Sequence, residues 1–166
     1  MKSKLSINLE VSLVEIILSV LIFAVAGAIM LNCFVYAKYT QEKANDKVTA
    51  SWLVQSDAEM IKSADTLDEA VLFLAKTYGK KAKDGSSDIY TNYYDKDWNH
   101  CTEEKQEYTI NTVISLDDKE YGEFMDVKIT VVKSTPYPFV DMNKMTSPIY
   151  SIETSKFFST NEAGRQ

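Results

Sequence analysis

Polar and apolar positions divide this chain into three regimes. From Ile16 to Ala37 no residue is charged: IILSVLIFAVAGAIMLNCFVYA. At about 1.5 Å rise per residue this run makes a helix of roughly 33 Å, against a hydrocarbon core of about 30 Å. Backbone groups inside a bilayer must be paired within their own segment, so the run is expected to be helical. No proline occurs between Met1 and Pro136, and no glycine between Gly27 and Gly79, so the helix has no mandatory break beyond Lys38. A stripe at Ala50, Leu53, Val54, Ala58 and Ile61 then has helical spacing, which predicts a face packed on a sheet.

Thr66 and Glu69 form a capping-box pattern that opens a second helix, with Leu67, Ala70, Val71, Leu74 and Tyr78 on one face. Gly79 is placed as its stop, and Lys80 to Ser87 reads as a loop. The period then changes to two. Ile89–Tyr94 reads as a short strand, and Tyr108, Ile110, Thr112, Ile114 and Leu116 alternate with polar neighbours. Met125, Val127, Ile129 and Val131 do the same, and Asp117–Glu120 is expected to join the two runs as a hairpin. Pro136 and Pro138 end that strand and open a loop to Pro148, and Ile149–Phe158 returns as another strand. The predicted fold class is α+β: a long N-terminal transmembrane helix continuing into a globular domain with an antiparallel β-meander of about four strands. The expected divisions are a leader at 1–10, a spanning helix at 11–37, its amphipathic continuation at 38–64, an extracytoplasmic domain at 65–158 and a flexible tail at 159–166.

Charge refines the picture. The net charge of −6 lies wholly after the apolar run, because Lys2 and Lys4 offset Glu10 and Glu15 before it. An acidic domain without a basic run is not expected to have nucleic acid as its main partner. Lys2 and Lys4 ahead of the run favour a cytoplasmic N-terminus and an external C-terminal domain. Cys33 sits in the apolar run and Cys101 far down the polar part, so two free thiols are expected rather than a disulfide scaffold.

Three plain readings of the N-terminal run compete. It is a secretory signal peptide cut after Ala24-Val25-Ala26, a lipoprotein signal ending at Cys33, or a membrane anchor with no further role. The apolar run continues well past Ala26, and Asn32 is bulky where a lipoprotein signal wants a small residue. Glu15 also interrupts the start of the run. A carboxylate at the edge of a membrane helix costs on the order of 2 kcal/mol or more unless it snorkels or finds a partner.

The stretch Val11-Ser12-Leu13-Val14-Glu15-Ile16-Ile17-Leu18-Ser19-Val20-Leu21-Ile22-Phe23 resembles the N-terminal signature of type IV pilins and pseudopilins. That family has a short basic leader, an apolar first mature residue, a small polar residue, two aliphatics, a glutamate and a long apolar run. The resemblance implies cleavage between Glu10 and Val11 by a prepilin peptidase, with N-methylation of the new terminus. It also implies a filament core of packed helices in which Glu15 pairs with the terminal amine of a neighbouring subunit. The partners implied are other pilin-like subunits, the peptidase and the membrane. One departure is plain: the family has glycine before the cut, and this chain has Glu10. Either the peptidase tolerates a bulky anion or the leader stays, in which case Val11 has no free amine to offer Glu15. The family often carries a proline midway along the helix; here only Gly27 and Asn32 are candidate weak points.

Catalytic chemistry is not expected. His100 is the only histidine, and with Cys101 it falls short of the three or four ligands of a zinc site. Asp95-Lys96-Asp97-Trp98-Asn99 imitates the start of a calcium loop, but His100 stands where glycine is needed and Gln106 where a bidentate glutamate belongs. Some pseudopilins bind calcium in distal loops, which leaves a non-standard site open. Trp98, Tyr93 and Tyr94 read as local core. No cofactor and no metal are expected. The leading expectation is a non-enzymatic minor pilin or pseudopilin of a type IV filament or type II secretion-like system. The alternative is a single-pass anchored domain that binds a ligand or partner without polymerising.

Overall fold

The structure, a computed structural model, describes residues 3–119, 121–135, 137 and 148–159, with side chains from residue 13 onward except at residue 80. The chain divides into two compact units at the Lys43–Ala44 boundary.

Helix α1 spans Ser3–Ser63. In the first unit its side chains from Leu13 onward are exposed or nearly so. In the second unit the helix becomes one-sided: Ala50, Val54, Ala58 and Ile61 are buried, and Leu53 packs beside them. This is the stripe expected from helical spacing. Where α1 ends, its carbonyls need partners. The Lys156 amine supplies two bonds, to the Lys62 carbonyl at 2.5 Å and to that of Ala64.

Helix α2 spans Leu67–Thr77. Thr66 caps it by accepting the Glu69 N–H at 3.2 Å, and the Glu69 carboxylate accepts the Asp65 N–H at 2.9 Å. The reach is one residue further back than the usual capping box. Gly79 is not the sole stop. Tyr78 is already extended, and buried Asn92 finishes the end: its amide donates to the Thr77 carbonyl at 2.9 Å, and its oxygen accepts the Gly79 N–H at 3.0 Å.

Among the described residues five strands form one antiparallel sheet in sequence order: β1 Lys80–Asp84, β2 Ser87–Tyr94, β3 Tyr108–Lys119, β4 Gly122–Lys133 and β5 Tyr150–Ser159. The long apolar helix followed by an antiparallel meander is the predicted α+β class. Two details are corrected. The stretch expected as a loop, Lys80 to Ser87, is mostly strand: β1 pairs with β2 from Lys80↔Thr91 to Asp84↔Ser87, and Gly85 turns between them at φ +60. An edge strand buries little, so it needs no apolar alternation. Lys81 and Lys83 pair sideways with Asp88 instead, at 2.8 and 3.9 Å. The β3–β4 turn is also tighter than Asp117–Glu120, because pairing runs on through Asp118↔Glu123 to Lys119↔Gly122. Gly122 is required there, since a Cβ would collide with the Phe158 carbonyl oxygen. Most of the expected Pro136–Pro148 loop and the tail after Ser159 lie outside the described residues.

The core lies between the sheet and the helices of the second unit. Ile110 and Ile114 from β3 and Met125, Val127, Ile129 and Val131 from β4 meet Val54, Ile61 and Leu74. The period-two faces read from sequence are the buried ones, except that Leu116 lies beyond the core and is exposed.

Candidate functional site

The first candidate surface is α1 itself. Phe23, Met30 and Phe34 are 80%, 74% and 70% exposed, and the helix is long and apolar enough to cross a membrane. Two hydroxyls along it bond to the helix's own backbone. The Ser19 hydroxyl donates to the Glu15 carbonyl at 2.8 Å, and Thr40 to that of Tyr36 at 2.9 Å. Such bonds to the preceding turn let hydroxyls sit in an apolar setting without an orphaned donor. The Tyr36 and Tyr39 rings, 6.1 Å apart, mark the end of the uncharged run, as aromatics do at a membrane interface.

The residues singled out from sequence fall on this helix. Glu10 and Val11 lie within its helical backbone, and their side chains are outside the described residues. Glu15 is exposed, one turn before Ser19. Chemically the arrangement offers a long apolar rod with one carboxylate near its head, a surface suited to lipid and to other apolar helices.

The second unit holds polar groups that sequence reasoning missed. Asp57 of α1 accepts the Tyr78 hydroxyl at 2.5 Å, and the Thr112 hydroxyl of β3 donates to the Tyr78 oxygen at 2.8 Å. One chain of hydrogen bonds thus joins α1, the end of α2 and the middle of the sheet. Burial pushes the Asp57 carboxyl above the usual range, while the Tyr78 bond and the charge of His100 pull the other way. Tyr78 is pushed well above an ordinary tyrosine, by burial first and then by the Asp57 charge. Tyr94 rises to about 12, from burial and the same carboxylate. Tyr78 therefore remains a hydroxyl donor at any ordinary pH. The only hint of this in the sequence was Tyr78 on the apolar face of α2, where a buried hydroxyl needs a partner.

The loop that imitates a calcium site is a tight turn. The Asp95 carboxylate accepts the N–H groups of Asp97 and Asn99, each at 2.9 Å, and these backbone bonds hold its carboxyl below the usual range. Trp98 takes the left-handed conformation at φ 62 and stacks on Tyr108 at 4.0 Å, with Tyr94 beside it. Tyr94 belongs to the core and Trp98 packs against it partly buried, as expected, while Tyr93 is half-buried and outside that cluster. His100 is exposed and lies over the Tyr94 ring at 4.5 Å.

No protein family, curated protein or solved structure matches the chain.

Proposed function

We propose that this chain is a pilin-like subunit, a minor pilin or pseudopilin, that works by assembly rather than catalysis. Its apolar helix packs among other pilin-like subunits and its acidic α+β unit is displayed outside the membrane. The observation that carries the reading is the uncharged run Ile16–Ala37 with Glu15 at its head, on a helix that continues without a break to Ser63. An exposed carboxylate there is costly in lipid and neutral in cost beside a cation from another copy. The sequential antiparallel sheet after the helix is compatible with a pilin-like layout.

Cys33 provides the test, because it lies inside the proposed contact segment. In membranes of cells making the Cys101→Ser chain, mild oxidation is expected to trap copies through Cys33. Glu15→Ala is expected to lower that yield several-fold. Equal yields would remove the assembly role of Glu15.

Glu10 favours the second reading, an anchored domain that keeps residues 1–10 and never polymerises. N-terminal analysis of the membrane-bound chain separates the two: a start at methylated Val11 supports assembly, and retention of Met1 supports the anchor.

A further inference from the structure

At the end of the sheet nearest the start of β5, four side chains converge on one amine. Lys133, near the end of β4, places its Nζ 3.2 Å from Asp46 Oδ2 of α1 and 3.8 Å from Glu107 Oε1. The Lys133 and Asp46 side chains are only 9% and 8% exposed. The amine lies over the Tyr137 ring at 4.1 Å and the Tyr108 ring at 5.2 Å. The Tyr137 hydroxyl donates to Asp46 Oδ2 at 2.6 Å. Glu107 is itself held, since its Oε2 accepts the Thr135 hydroxyl at 3.1 Å and its backbone bonds to Tyr94 and Ser134.

A plain buried ion pair is the first explanation for such a contact, and it carries a desolvation cost that attraction often only offsets. The surroundings here supply more than an ion pair needs. An amine touches a carboxyl group, a hydroxyl polarises that carboxyl, a second carboxylate reaches the amine, and two rings exclude water. These are the parts of an amide-forming site: nucleophile, electrophile, oxyanion donor and proton shuttle.

The geometry points to an intramolecular isopeptide bond between Lys133 and Asp46, joining α1 covalently to β4. One proton passes from Nζ to Asp46 Oδ1, the oxygen that Tyr137 does not hold, which gives a neutral amine and a neutral carboxylic acid. The Nζ lone pair attacks Cγ of Asp46, and the new C–N bond gives a tetrahedral intermediate. The oxygen held by Tyr137 carries its negative charge. Glu107 takes one proton from Nζ and delivers it to the other Asp46 oxygen, whose bond to Cγ breaks. One water leaves and an amide remains. One positive and one negative charge vanish together, and no oxidant or co-reactant is consumed. The product replaces two buried charges with a neutral group, which removes the desolvation cost that the ion pair bears.

This inference is independent of the assembly reading. The test is the intact mass of the full chain, purified folded in detergent, followed by protease digestion and fragmentation. The expected result is a chain lighter than its covalent sequence by the mass of one water, with a branched peptide linking Asp46 to Lys133. Full mass in the folded chain would overturn the proposal, and so would loss of water without the branched peptide, which a succinimide elsewhere produces. Glu107→Gln keeps an acceptor for Thr135 and removes the shuttle, so its linked fraction after a fixed time is expected to fall at least about tenfold. An unchanged fraction in that variant would overturn the mechanism.

Discussion

A half-buried carboxylate has a cost that depends on pH, and Asp57, held by the Tyr78 hydroxyl, is such a group in the second unit. Its pKa is raised in the folded chain by burial, so the folded state binds the proton more tightly than the unfolded one. The stability linked to that proton is fully present below the ordinary aspartate value and is lost as pH rises through the raised folded value. Wild-type chain is thus expected to gain stability from this residue as pH falls through the window just above the ordinary carboxylate range. Asp57→Asn keeps an oxygen to accept the Tyr78 hydroxyl and has no charge to bury. It is expected to match or exceed wild type at pH 7 and to lose that part of the acid gain. Asp57→Ala takes the acceptor away from Tyr78 and is expected to cost about 1–3 kcal/mol. Urea unfolding of both variants at pH 7 and near pH 4 measures each arm. A wild-type acid gain that survives unchanged in Asp57→Asn would remove Asp57 as its source.

Two ends of the same short helix behave differently as information. The start of α2 is written locally: Thr66 and Glu69 lie three residues apart, and Thr66→Ala is expected to cost about 1 kcal/mol. Its far end is finished by Asn92, which reaches back from β2 to Thr77 and Gly79. Asn92→Ala leaves both of those backbone groups without their partner and is expected to cost about 2–3 kcal/mol, more than the cap. Thermal melts of the two variants in one buffer decide the order. The contrast explains what the sequence could yield. Patterns confined to a few neighbours were legible: the α1 stripe, the Thr66 cap and the alternating β3 and β4. The edge strand β1 was not, because Lys81 and Lys83, paired with Asp88, leave no apolar period to detect. Nor were Asp57–Tyr78–Thr112 or Asp46–Lys133, since those partners meet only once the register of the sheet and the docking of α1 are fixed.

The division of the chain after Lys43 places two kinds of surface under separate physical rules. Ahead of it, large apolar side chains such as Phe23 and Met30 are exposed among the described residues, so water is a poor solvent for them and lipid or other apolar helices a good one. Behind it, α1 residues 44–63 supply Ala50, Val54, Ala58 and Ile61 to the core, and Asp46, Asp57 and the Lys62 carbonyl to its polar ties. The exposed apolar segment and the folded unit therefore do not part where the charged residues begin, at Lys38. Nor do they part where the helix ends, at Ser63. A chain begun at Ala44 keeps every one of those core and polar contacts, and is expected to be soluble, monomeric and cooperatively folded. A chain begun at Asp65 loses the whole α1 face, with about 1.5–3 kcal/mol withdrawn for each large buried side chain such as Val54 or Ile61, and is expected not to fold. Circular dichroism and gel filtration of the two truncations decide the matter. Folding of the shorter chain would mean that the sheet and α2 close a core without α1, and that the long helix adds nothing the fold requires.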